Sequence, residues 1–138
     1  MTAVVAPTLN REKGLRVHVE EIKARRGPAP WSERIVMNDR YVVTVICQNP
    51  GHQNDWHYHL VDECWSIYEG ELSWTIEGEA EPIHVKAGDW ILAPGNCFHF
   101  IQVHGDQPSI RVAVSYTGEY HRHERDNKPP APAGARPD

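Results

Sequence analysis

The sequence predicts an all-β domain of two packed antiparallel sheets in a jelly-roll barrel, and three observations predict it. From residue 34 to residue 116 apolar side chains recur with a period of two, the spacing that puts alternate residues on one face of a strand. The runs are short and separated by turn-forming residues. No long stretch has the three-to-four-residue apolar spacing of an amphipathic helix. Many short strands with frequent turns are typical of a chain that packs two sheets and protects their edges.

Taken in order, residues 1–30 form an N-terminal arm. Leu15, Val17 and Val19 alternate and predict one short strand, and 20–26 predict a helical turn, before Gly27-Pro28-Ala29-Pro30 punctuates the chain. The barrel is expected over 31–125, with strands near 34–37, 40–48, 56–59, 64–68, 71–77, 83–85, 89–93, 99–103 and 109–116. Between them fall turn signals such as Asn38-Asp39, Asn49-Pro50-Gly51, Glu69-Gly70, Glu77-Gly78, Ala87-Gly88, Pro94-Gly95-Asn96 and Gly105-Asp106. Residues 126–138 are rich in Pro and Ala and poor in large apolar residues, which predicts a flexible tail.

The 138 residues suit one domain, and 40% hydrophobic with 24% charged residues is ordinary for a soluble globular protein. A formal net charge of -5 argues against a phosphate-backbone partner, so no nucleic acid is expected. The start, Met1-Thr2-Ala3-Val4-Val5-Ala6-Pro7, has no basic and apolar signal pattern, and the longest internal apolar run, Val42 to Cys47, is broken by Thr44. These features predict a cytoplasmic protein with no membrane partner. Cys47, Cys64 and Cys97 are odd in number and lack Cys-x-x-Cys spacing, so reduced thiols are expected.

The chemistry lies in one pattern: Gly51, five residues, His57, one residue, His59, three residues, Glu63, six residues, Gly70. On a strand His57 and His59 share a face and can present two imidazoles to one point. Glu63 adds a carboxylate that offsets the charge of a divalent cation, a donor set suited to oxygen-activating iron. A second pattern, Gly88, five residues, Pro94-Gly95-Asn96, two residues, His99, supplies a third imidazole. The expected metal ligands are therefore His57, His59, Glu63 and His99. His18, His52, His84 and His104 are expected to be packed or solvated, and His121-Arg122-His123-Glu124 to be a solvated run beside the tail.

These two stretches resemble the two short motifs of the cupin superfamily over about Gly51 to Val103. The second departs at Asn96, where the family usually has Gly, and at Val103, where it often has Asn. Asn is the non-glycine residue that best tolerates a left-handed turn. The resemblance implies a jelly-roll barrel with a metal at its centre, often a homodimer, in a superfamily of dioxygenases, isomerases, epimerases, lyases and non-enzymatic binders. A looser similarity, carried by Asp55-Trp56-His57, Glu63, residues 68–74 and residues 88–99, links the chain to the 3-hydroxyanthranilate dioxygenases. Their substrate-gripping arginines have no counterpart between Gln48 and Arg111.

Alternation from the ligands puts Trp65 and Ile67 inward, with Trp74 opposite, and brings Ile101 inward from His99. Trp65, Ile67, Trp74 and Ile101 are the expected substrate contacts in an apolar pocket for a small molecule. Cys97 shares the parity of His99, and its expected role is a core thiol. Three functions follow: a non-haem Fe(II) dioxygenase on an oxygen-chelating aromatic or enolic substrate; a non-redox metal-assisted isomerase, epimerase, lyase or cyclase; and a non-enzymatic binder. Fe(II) is the preferred cofactor, though the same ligands suit Mn, Ni, Cu and Zn.

Overall fold

A computed structural model describes residues 5–137 of the chain. The first four residues of the arm and Asp138 at the tail's end lie outside the described residues. Eight strands follow one helix: α1 (Val19–Arg26), β1 (Trp31–Met37), β2 (Tyr41–Gln48), β3 (Glu63–Glu69), β4 (Glu71–Ile76), β5 (Ile83–Lys86), β6 (Trp90–Ala93), β7 (His99–His104) and β8 (Ser109–Tyr116). They form two antiparallel sheets, β1-β2-β8-β3-β6 and β5-β4-β7. Period-two side chains from both sheets meet between them: Trp65, Ile67, Ile91 and Ala113 from the larger, Leu72, Trp74, Ile76, Ile101 and Val103 from the smaller. The jelly-roll expectation is met.

Two expected strands do not form. Leu15, Val17 and Val19 lead straight into α1, with Leu15 exposed, because this short alternation has no neighbouring strand to pair with. A capping box starts the helix instead: His18 accepts from the backbone of Glu20 while the Glu21 carboxylate reaches back to the His18 backbone. Acidic residues in the first turn and basic residues in the last also favour it. Its one buried residue, Ile22, packs with Val45, Cys47 and Ile110 on the larger sheet.

The expected strand at 56–59 is an extended run held by isolated bridges, His57 to His99 on one side and Tyr58 to Arg122 on the other. The C-terminal residues, expected to hang free, lie against this run. The Trp56 indole donates to Pro129 O at 3.0 Å, and Arg136 N donates to Asn54 O at 2.8 Å. Ala135 closes over a cluster of Trp56, Tyr58, Phe98 and Phe100 on the outer face of the smaller sheet. Pro and Ala lack bulk but leave carbonyls free to accept, which is how such a segment docks without a core of its own.

Candidate metal centre

The His57–His99 bridge sets two candidate ligands directly opposite one another, with backbone bonds of 3.2 and 2.7 Å in the two directions and ring centroids 4.3 Å apart. His59, two residues along, keeps the same face, its ring 5.0 Å from that of His57. Glu63 opens β3 after a turn that the second motif clamps in place. Gly95 N donates to Asp62 Oδ1 at 2.8 Å and Asn96 N to His59 O at 2.7 Å. A Cβ at Gly95 would stand 2.8 Å from Leu60 O, so only glycine permits the approach. Asn96 takes φ 65°, the left-handed conformation expected of it.

Donor atoms of His57, His59, Glu63 and His99 all lie within 4.8 Å of one another. Glu63 Oε1 is 3.2 Å from His59 Nε2 and 3.7 Å from His99 Nε2. Two donors each about 2.1 Å from one ion stand about 3.0 Å apart at a right angle and about 4.2 Å apart in line, and both Glu63 separations fall between these values. Neither His59 Nε2 nor His99 Nε2, both buried, has a hydrogen-bond partner. Orphaned buried nitrogens converging on a carboxylate fit a divalent metal ion. Burial, reinforced by the neighbouring imidazoles, pushes His99 well below its usual value and favours the neutral form that ligates. Burial likewise lowers His57 against the pull of Asp55, whereas at His59 burial is the largest influence but is overcome by Glu63, the Tyr120 carbonyl and Glu119 together, which raise it.

The rings are aimed from behind. His59 Nδ1 lies 3.0 Å from Tyr120 O, and His57 Nδ1 lies 3.2 Å from both Asp55 O and Asp55 Oδ1, which leaves Nε2 of each ring for a metal. Asp55, 4% exposed, also meets His121 Nδ1 at 2.8 Å and His123 Nε2 at 2.6 Å through Oδ2. Burial opposes its ionisation, but these three imidazoles hold its carboxyl far below the usual range. The expectation that His121 and His123 are a solvated run is therefore corrected. His121 stacks on His57 with centroids 3.6 Å apart and an interplanar angle of 4°. The buried Asp55 needs partners, and the His-x-His spacing at 121–123 supplies two at once.

A cavity of about 420 Å³ opens on Glu63, His57 and His99. Of the four residues expected to contact substrate, Trp65 and Ile101 line it. Ile67 and Trp74 do not. They face inward but lie deeper, and the Trp65–Trp74 ring pair, 5.1 Å between centroids, fills the barrel at that level. Cys97 packs against the same core. Gln48, His52, His121 and Arg111 add a polar wall that the strand pattern alone does not reveal. Arg111 sits on β8, opposite Ile67 in register, and the parity that turns Ile67 inward turns it inward too.

A family model described as a cupin domain matches residues 44–116, which include all four candidate ligands. No curated protein matches the chain. Among solved structures, an uncharacterised conserved protein with a double-stranded β-helix domain from Klebsiella pneumoniae subsp. pneumoniae is 25% identical, with a TM-score of 0.59 over 71% of this chain and 90% of that one. A cupin-2 domain containing protein from Shewanella frigidimarina is 17% identical, with a TM-score of 0.60 over 72% and 93%. A cupin superfamily protein from Desulfitobacterium hafniense is 16% identical, with a TM-score of 0.62 over 82% and 98%. Among the described residues no helix is long and apolar enough to cross a membrane.

Proposed function

This chain belongs to the cupin domain family, and from that premise we propose that it is a non-haem Fe(II) dioxygenase acting on a small aromatic or enolic substrate that chelates through oxygen. The observation that carries the reading is the meeting of three imidazoles and one carboxylate, of which His57, His99 and Glu63 face a cavity of about 420 Å³. Bound Fe(II) would supply oxygen activation at coordination positions the protein leaves open. The chain's own residues do the rest. His57, His59 and His99 hold the ion as neutral imidazoles, and Glu63 offsets one of its charges. Asp55 fixes the His57 ring. Trp65 and Ile101 form the apolar side of the cavity, against which a flat substrate is sheltered from water. A homodimer belongs to the same proposal, supported by the exposed Trp90 and Leu92 on edge strand β6, and light scattering tests it.

The test is to strip the protein, reload it with Fe(II) or Zn(II), and screen catechols, aminophenols, diketones and enediols in an oxygen electrode. Oxygen uptake with iron and none with zinc is expected, since zinc has no accessible redox chemistry. Equal turnover by the zinc form under nitrogen would remove the dioxygenase reading. It would support instead a non-redox isomerase or lyase, which one observation favours: His121, its Nδ1 tied to Asp55, lines the cavity as a proton acceptor would.

A further inference from the structure

We infer that Arg111 is the anchor for a carboxylate on the substrate, so that the cavity takes an anionic chelator in preference to a neutral one; this rests on the metal site proposed above. Arg111 is 4% exposed and lines the cavity. Its Nη1 donates to Gln48 Oε1 at 2.8 Å, and its buried Nε has no partner. Gln48 Oε1 already accepts from Asn54 Nδ2 at 3.1 Å. Among the described residues no carboxylate forms an ion pair with Arg111, although Glu33 is paired with Arg25 and Arg26, and Asp55 is ringed by imidazoles. A buried cation without a counterion is costly to keep, and that cost is recovered if an anion binds there. Burial pushes the guanidinium down to about 10, against the pull of Glu63, so it stays charged at neutral pH.

The charges choose the ligand. A divalent ion offset by Glu63 keeps one positive charge, and Arg111 adds a second. A chelating phenolate or enolate oxygen balances the first, and a carboxylate balances the second. The guanidinium fork suits a carboxylate in particular, because two parallel N–H groups meet two oxygens.

The experiment uses the full chain loaded with Mn(II), with retained metal counted by electron paramagnetic resonance. Calorimetry then compares catechol, a neutral chelator, with 2,3- and 3,4-dihydroxybenzoate, which add a carboxylate at two positions. At least one dihydroxybenzoate is expected to bind about tenfold or more tightly than catechol, the effect of a charge-assisted hydrogen bond. Arg111→Gln should bring that ratio near one. Gln48→Glu, which gives Arg111 an internal counterion, should do the same without removing the cation, and it decides the matter if Arg111→Gln does not fold. A ratio near one in the unaltered protein, failure of the carboxylates to bind, or a ratio that survives Gln48→Glu would overturn the inference. If the unaltered protein retains no Mn(II), the metal reading itself fails and the inference falls with it.

Discussion

Replacing Asp55 by Asn keeps the size of the side chain and removes the charge that three imidazoles share. His57 suffers most. Its Nδ1 is 3.2 Å from Asp55 Oδ1 in a pocket where His57 is 5% exposed, so the bond is scarcely screened. His121 and His123 have side chains 52% and 33% exposed, and their contacts with Asp55 are correspondingly weaker in water. A hydrogen bond to a buried charge is worth about 1.5–3 kcal/mol, which is the expected loss in stability of the metal-free protein. For the metal, losing the partner behind a ligating imidazole typically costs about 10–100-fold in affinity, or about 1.4–2.7 kcal/mol. His57 Nδ1 keeps its 3.2 Å contact with the backbone carbonyl of residue 55, so the expected loss is nearer tenfold. Competition for Co(II) against a colorimetric chelator measures the affinity, and melting of the metal-free protein measures the stability. A metal dissociation constant unchanged within about twofold would refute the assignment of Asp55 as the group that aims His57.

Other predictions concern the frame around the site. Glu33, buried and bound by Arg25, Thr8 and Arg26, is held at about 2, below its ordinary 4.5. Its folded value is depressed, so its contribution is present above about pH 4.5 and is lost as pH falls from there toward 2; because Arg25 and Arg26 are 53% and 40% exposed, about 1–2 kcal/mol is expected. Urea titrations should show Glu33→Gln weaker than the unaltered protein at pH 7 and level with it near pH 2. Ile22→Ala, which empties a fully buried site between α1 and the larger sheet, should cost about 2–5 kcal/mol by the same method. Gly70→Ala places a Cβ 2.7 Å from Ser109 Cα at φ 89°, whereas at Gly78, φ 94°, a Cβ meets nothing within 4 Å. The first should cost several kcal/mol and the second about 1–2 kcal/mol, and equal melting temperatures for the two variants would refute the clash.

Much of the fold was legible because alternation is local: a residue two along from His57 faces the way His57 faces, whatever surrounds it. The four candidate ligands were legible for the same reason, since the spacing in 57–63 and 94–99 encodes an extended run, a tight turn and the start of a strand. Asp55, His121, His123 and Arg111 were not. Their roles depend on which distant segment is laid beside the ligand run, and nothing near His121 in sequence says that Asp55 is its neighbour. Ile67 and Trp74 were misjudged as wall residues because parity fixes a side chain's face but not its depth along the barrel. The strand expected at 15–19 failed because an alternation without a partner yields to a capped helix.

The ligand run 55–59 is held by single bridges, between β7 and a later part of the chain, rather than woven into a sheet. For anyone handling the protein this is a matter of where to attach things. A purification tag, a fluorophore or a surface tether at the carboxyl end pulls on the run through Pro129 and Arg122, which are bonded to Trp56 and Tyr58, and through Arg136, which is bonded to Asn54 just before it. A label at the amino end loads β1, whose Arg34 and Ile35 carbonyls accept from Thr8 N and Leu9 N, and not the ligand run. Two preparations differing only in which end carries the tag would then differ in metal content, with the amino-terminal version the one to assay.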